Sequence, residues 1–137
     1  ANLNHSQFFI VYKAIPKNLK TLWNRGQVTE PRDIIQIGIQ LVECVANIHS
    51  TGYIHKSIKL DNIMIDDFNQ VYLIDYGQAE KFRQLDGYHR PNLPVDEYGN
   101  PHFSSKNVHL KCTLSCRDDM ISVVYCLMAL TNSFLPI

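Results

Sequence analysis

The chain has 137 residues, 45% of them hydrophobic and 19% charged, with 13 basic side chains set against 13 acidic ones. That is one domain's worth of chain or less, with apolar material for a buried core. A formal charge of zero gives no reason to expect nucleic acid or a membrane surface as partner.

The longest apolar run, Val123 to Leu130, is too short to span a bilayer, and no charged-then-apolar leader opens the sequence. The first residue is not Met, so a further upstream segment is expected. Cys44, Cys112, Cys116 and Cys126 contain no CxxC pair. A reducing, intracellular setting therefore fits better than a disulfide framework, and zinc at His109, Cys112 and Cys116 is disfavoured.

Phe8 to Tyr12 form a β-branched and aromatic run that predicts a buried strand, ended by Pro16. Leu19, Leu22 and Trp23 recur at helical spacing, and Gly26 supplies a stop. Thr29 is a good N-cap, Pro31 falls near the first helical position, and Asp33 puts favourable charge in the first turn. Ile34, Ile37, Leu41, Val45 and Ile48 then mark a long amphipathic helix ended by Gly52, with Ile35, Val42 and Ala46 widening its stripe. Cys44 and His49 on this helix read as packed or surface residues.

A polar loop carrying His55, Lys59, Asp61 and Asn62 comes next. Ile63 to Ile65 and Val71 to Ile74 flank a turn of residues 66–70, a strand-turn-strand pattern. A hairpin folds its ends together, so Asn62 and Asp75 are expected side by side. An amide oxygen and a carboxylate so placed suit a hard cation such as Mg²⁺ that is also held by phosphate oxygens. Periodicity disappears from Gln78 to Asn100, a long loop punctuated by Gly87, Pro91, Pro94 and Gly99. Tyr88, Tyr98, Ser104 and Ser105 there read as solvated hydroxyls before phosphosites. Met120, Val123, Val124, Leu127, Met128 and Leu130 predict a helix apolar nearly all round, hence buried. Asp118 and Asp119 read as charges at its N-terminus.

Residues 53–62 followed by Asp75, Tyr76 and Gly77 resemble the catalytic loop and D-F-G element of eukaryotic protein kinases, whose loop reads H-R-D-L-x-x-x-N. His55 matches the His, Lys56 the Arg and Asn62 the metal-binding Asn. Ser57 stands where the family has its catalytic aspartate. Residues 11–23 resemble casein kinase I hinges. Ser105, Lys106 and Asn107, with Ser115 to Asp119, are similar to the triplet and helix start of casein kinase I and vaccinia-related kinases. The resemblance implies an α+β, kinase-like fold over residues 1–137, with residues 1–16 the last N-lobe strand and hinge and residues 17–137 part of the helical C-lobe. The rest of the N-lobe is not found in the sequence, which has no G-x-G-x-x-G loop or V-A-I-K strand.

The resemblance also implies roles. Tyr12 would be the gatekeeper, and Lys13 and Ile15 would offer backbone groups to adenine over a floor of Met64. Asn62 and Asp75 would hold Mg²⁺, and Lys59 would reach the transferring phosphate of ATP. His55, Tyr76 and Gly77 would be structural, and Asp119 would hold the loop backbone. A serine hydroxyl is no proton acceptor near neutral pH, and losing the base costs about 10²- to 10⁴-fold in rate. The expected function is a pseudokinase of the casein kinase I group, a binding or scaffolding module that retains ATP and Mg²⁺. The alternatives are a weakly active Ser/Thr kinase using Asp61, and a purely structural subunit. A partner protein or further chain segments would cover the apolar face of the last helix.

Overall fold

The computed structural model describes residues 14–28, 30–83, 91 and 103–131. Its central element is helix α2 (Pro31–Ser50), which opens with Pro at the first position, where a missing N–H costs nothing, and Asp33 in the first turn. Its N-cap is Glu30, without a side-chain hydrogen bond; Thr29 lies outside the described residues. The helix stops where Gly52 takes φ +85°, a conformation glycine adopts without steric cost. Ile34, Ile37, Leu41 and Val45 are buried at spacings of three and four. The stripe is narrower than expected, because Ile35 and Val42 are exposed, by 60% and 39%, and Ala46 is exposed as well. The elements packed on α2 cover one face and leave the shoulders to solvent.

That face meets a small sheet and a second helix, α4 (Cys116–Leu130). Val123, Cys126, Ala129 and Leu130 of α4 are buried, whereas Val124 is half exposed. Thus α4 is one-sided here and not apolar-buried all round. Burial pushes the Cys126 thiol up to about 12, which leaves it an inert filler. Where the helices approach, a methyl group built on Gly38 would lie 3.1 Å from Leu127 Cδ1.

The sheet runs β1–β3–β4, all antiparallel. β1 (Lys17–Asn18) pairs with β3 (Ile63–Ile65), and β3 pairs with β4 (Val71–Leu73) with Ile63 opposite Leu73. Asn18 joins three elements. Its Oδ1 accepts from Thr21 N at 3.2 Å to cap α1 (Leu19–Asn24), and its Nδ2 donates to the Asp61 carbonyl at 2.7 Å and towards Met64 Sδ at 3.5 Å.

The β3–β4 turn is organised by Asp66. Its Oδ1 accepts from Phe68 N and Gln70 N at 2.9 Å each, and its Oδ2 accepts from Tyr72 Oη at 3.1 Å. Gln40 of α2 clamps the same turn, donating to the Asn69 carbonyl and accepting from Val71 N, both at 3.0 Å. A second pair, β2 (Tyr53–Ile54) with β5 (Glu80–Lys81), closes the far side of the loop between them. The short α3 (Lys106–His109) precedes α4.

The expected strand at Phe8–Tyr12, Lys13, and the loop positions Tyr88 and Tyr98 lie outside the described residues. Among the described residues no helix is long and apolar enough to cross a membrane.

Candidate functional site

The loop after β2 is held by one carboxylate. Asp119, in the first turn of α4, is 3% exposed. Its Oδ2 accepts from His55 N and contacts His49 Nε2, both at 2.8 Å, and its Oδ1 accepts from Lys56 N at 2.9 Å. A carboxylate this buried persists because each oxygen is satisfied by a short, charge-assisted bond. The arrangement fixes Lys56 at φ +65°, a left-handed conformation costing about 1–2 kcal/mol for a residue with a side chain. Lys56 is gripped at its other end too, with Nζ 2.8 Å from Glu80 Oε2 on β5.

His55 is fully buried and meets the Tyr76 ring edge-on, with centroids 5.0 Å apart. Its Nδ1 accepts from Ser57 N at 3.2 Å, which places the ring proton on Nε2 in the neutral form. That Nε2 has no hydrogen-bond partner among the described residues. Burial pushes the His55 pKa down, against upward pulls from Asp119, the Ile74 carbonyl and Asp75. The ring is therefore a neutral post under Tyr76.

The two ends of the β3–β4 hairpin converge beside it. Asn62 closes a 3₁₀ turn (Leu60–Asn62), and its carbonyl accepts from Ile74 N at 2.9 Å. Its buried side-chain Nδ2 reaches three acceptors: the Ser57 carbonyl at 2.8 Å, Ser57 Oγ at 3.1 Å and Asp75 Oδ2 at 3.3 Å. Asp75 is exposed and sits at φ +69°, a second strained backbone next to the loop. A Cβ on Gly77 would stand 3.3 Å from Asp75 Oδ1, so glycine leaves room beside that oxygen.

The Asn62 side chain and the Asp75 carboxylate are thus adjacent, with the amide N–H turned towards the carboxylate; turning the amide over would bring its oxygen to that side as a second hard donor. Two such donors fit a divalent cation that takes its other ligands from phosphate and water. Among the described residues no three His, Cys, Asp or Glu side chains form a group that could hold a metal ion.

His55, Ser57, Asn62, Asp75, Tyr76, Gly77 and Asp119 thus fall in one neighbourhood. Lys59 is half-buried and extended at the start of the 3₁₀ turn. Met64, on β3, faces Asn18 and Tyr72 across the sheet, and Ile15 is half-buried in the extended run before β1. Asp61 turns away: its Oδ1 is 2.8 Å from Lys20 Nζ. Tyr76 also lines an open apolar groove of about 600 Å³, together with Cys44, Ile48, Tyr53, Tyr72 and Leu73 among others.

Ser105, read as a solvated hydroxyl, is instead 1% exposed, while Asp118 and His49 lie where their sequence readings put them but make contacts those readings did not include. Asp118, read as a helix-end charge, is 4% exposed and accepts from Ser105 Oγ at 2.5 Å, Asn107 Nδ2 at 2.7 Å and Ser115 N at 2.8 Å. Burial pushes its pKa up, but these bonds and nearby Arg117 outweigh it and hold the carboxyl below its ordinary value. The spacing of Ser105 and Asn107 from Ser115 was the available signal, since all three donate to one carboxylate. His49, read as packed or surface, is the third partner of Asp119, and nothing in its helical position marks it.

The protein kinase domain family model matches residues 1–136. A casein kinase I homolog of Encephalitozoon cuniculi (strain GB-M1) is 31% identical over 130 residues, covering 93% of this chain and 41% of the relative. The chain spans less than half of that relative's length.

Proposed function

Because the chain belongs to the protein kinase domain family, related within it to casein kinase I, we propose that it is a kinase-fold binding module of pseudokinase type, holding ATP with Mg²⁺ without transferring phosphate. Ser57 carries the reading. Phosphoryl transfer to a hydroxyl needs a carboxylate that orients the acceptor and takes its proton. At the matching position stands a buried hydroxyl that accepts from Asn62 Nδ2, and a hydroxyl cannot be that base near neutral pH. The Asp61 carboxylate, the substitute considered from sequence, is engaged by Lys20, which weighs against a weakly active Ser/Thr kinase.

The binding half rests on the adjacency of Asn62 and Asp75. These two would hold Mg²⁺, which when bound neutralises phosphate charge. Lys59 would steady a phosphate as a point charge, and Lys13, Ile15 and Met64 would meet the adenine. His55 and Asp119 act by holding the loop in register, with no contact to ligand. The exposed apolar shoulder of α2, Ile35 and Ile39, supports a scaffolding use in which a protein partner or further chain covers it.

A thermal-shift titration of the full-length protein with ATP, with and without Mg²⁺, tests this. Stabilisation that requires Mg²⁺ and disappears in Asp75→Ala is the expected outcome. No stabilisation at millimolar ATP would leave the purely structural role.

A further inference from the structure

We propose that Ser57 is a ligand-binding residue in its own right: its hydroxyl donates to an oxygen of the terminal phosphate of a bound nucleoside triphosphate, so that the site distinguishes a triphosphate from a diphosphate. Ser57 is 9% exposed, and its backbone is pinned on both sides. Its N donates to His55 Nδ1 at 3.2 Å, and its carbonyl accepts from Asn62 Nδ2 at 2.8 Å. With the backbone fixed, the side chain keeps only the rotations about its own bonds.

That hydroxyl is half used. Its oxygen accepts from Asn62 Nδ2 at 3.1 Å, and a serine hydroxyl has one proton to give besides its lone pairs. Among the described residues no acceptor takes that proton. A polar hydrogen left over at a nearly closed position calls for an acceptor from outside. The same Asn62 nitrogen lies 3.3 Å from Asp75 Oδ2, so the hydroxyl is one side chain away from the carboxylate of the proposed cation site, to which anionic oxygens are drawn. A carboxylate at position 57 would only accept and would repel those oxygens, whereas a hydroxyl is neutral and donates. The other acid of the loop, Asp61, is engaged by Lys20 at 2.8 Å and adds little repulsion.

This inference rests on the nucleotide-binding reading and adds to it which part of the ligand Ser57 meets. The order along the chain decides that part. Met64, assigned to the base, lies on β3 beyond Asn62, whereas Ser57 reaches Asn62 from the loop before it. Ser57 is therefore placed for the end of the nucleotide remote from the base. The test measures ATP and ADP affinity by isothermal titration calorimetry at saturating Mg²⁺, on full-length wild type, Ser57→Ala and Ser57→Thr. Ser57→Ala is expected to lose about tenfold in ATP affinity, as removal of a hydrogen bond to a charged group implies, with ADP affinity kept within about twofold. Ser57→Thr, which keeps the hydroxyl, is expected to restore ATP binding.

Equal loss for ATP and ADP in Ser57→Ala would mean that the hydroxyl acts on the cation through Asn62, and would overturn the proposal. Unchanged ATP affinity, or a Ser57→Thr variant that binds like Ser57→Ala, would overturn it too. Should either variant not fold, Ser57→Cys, close in size and a weak donor, is expected to show a smaller loss confined to ATP; a loss shared with ADP counts against the proposal. If wild type binds neither nucleotide, the binding reading fails and this inference falls with it. If wild type binds both and Ser57→Ala binds them unchanged, this inference alone fails.

Discussion

Single side chains do most of the organising around the loop, and Asp119 does the most. Removing it in Asp119→Ala leaves the His55 and Lys56 N–H groups buried without acceptors. At about 1–3 kcal/mol for each orphaned group, urea denaturation should show a loss of about 3 kcal/mol; a loss below about 1 kcal/mol would mean the loop is held elsewhere. His55 gives the fold a pH dependence. Its folded pKa lies below the free value of 6.5 because the ring is buried. As pH falls below 6.5 the unfolded chain takes up a proton that folded His55 refuses, so stability declines. The decline should be shallower in His55→Leu than in wild type when unfolding is followed from pH 7 to 5. Gly77→Ala separates binding from folding. Its methyl would crowd Asp75 Oδ1 at 3.3 Å, so Mg²⁺-dependent ATP binding should weaken while stability stays within about 0.5 kcal/mol.

Elements were legible from sequence where their period was long and their punctuation clear. The α2 helix could be read from Ile34, Ile37, Leu41, Val45 and the Gly52 stop, and the β3–β4 hairpin from its two apolar runs around a polar turn. β1 was not, because a strand of two residues has no period to detect. The width of the buried faces of α2 and α4 was misread for a different reason: Ile35 and Val124 are apolar but point where no element packs, which only tertiary structure decides. At the site, proximity of Asn62 to Asp75 followed from hairpin geometry, whereas the donor sets of Asp118 and Asp119 reach across 13 and 64 residues, too far for periodicity to show, and only the motif spacing and the resemblance pointed to them. The α2–α4 contact can be probed at Gly38, where a side chain meets Leu127. Gly38→Leu should destabilise by about 1–3 kcal/mol through overpacking, measured by urea denaturation. Asp118 ties α3 to α4 with its carboxyl below the free value of 3.8. Its contribution is present above that pH and lost as pH falls through the lower, folded value. Asp118→Asn should flatten the acid limb of the stability curve in that range.

Across the whole molecule, a helix and a small sheet carry a polar loop whose backbone is strained at Lys56 and Asp75. Strain of this kind persists only when surrounding contacts over-determine it, and here Asp119, Glu80 and Asn62 supply those contacts. Beside that loop Asn62 meets Asp75, with the Ser57 hydroxyl against the Asn62 amide; the proposed function takes the first pair as a cation site and Ser57 as standing where a proton acceptor would be. The chain also presents Ile35 and Ile39 to solvent, the apolar shoulder on which the proposed scaffolding use rests. The central claim is retention of nucleotide without turnover. It is tested most directly by timing phosphate transfer from γ-labelled ATP with Mg²⁺ and a protein acceptor, comparing the full-length protein with its Asp75→Ala variant. Wild type is expected to be indistinguishable from Asp75→Ala. Transfer by wild type at about 1–100 s⁻¹, the ordinary range for kinases, and lost in Asp75→Ala, would contradict it.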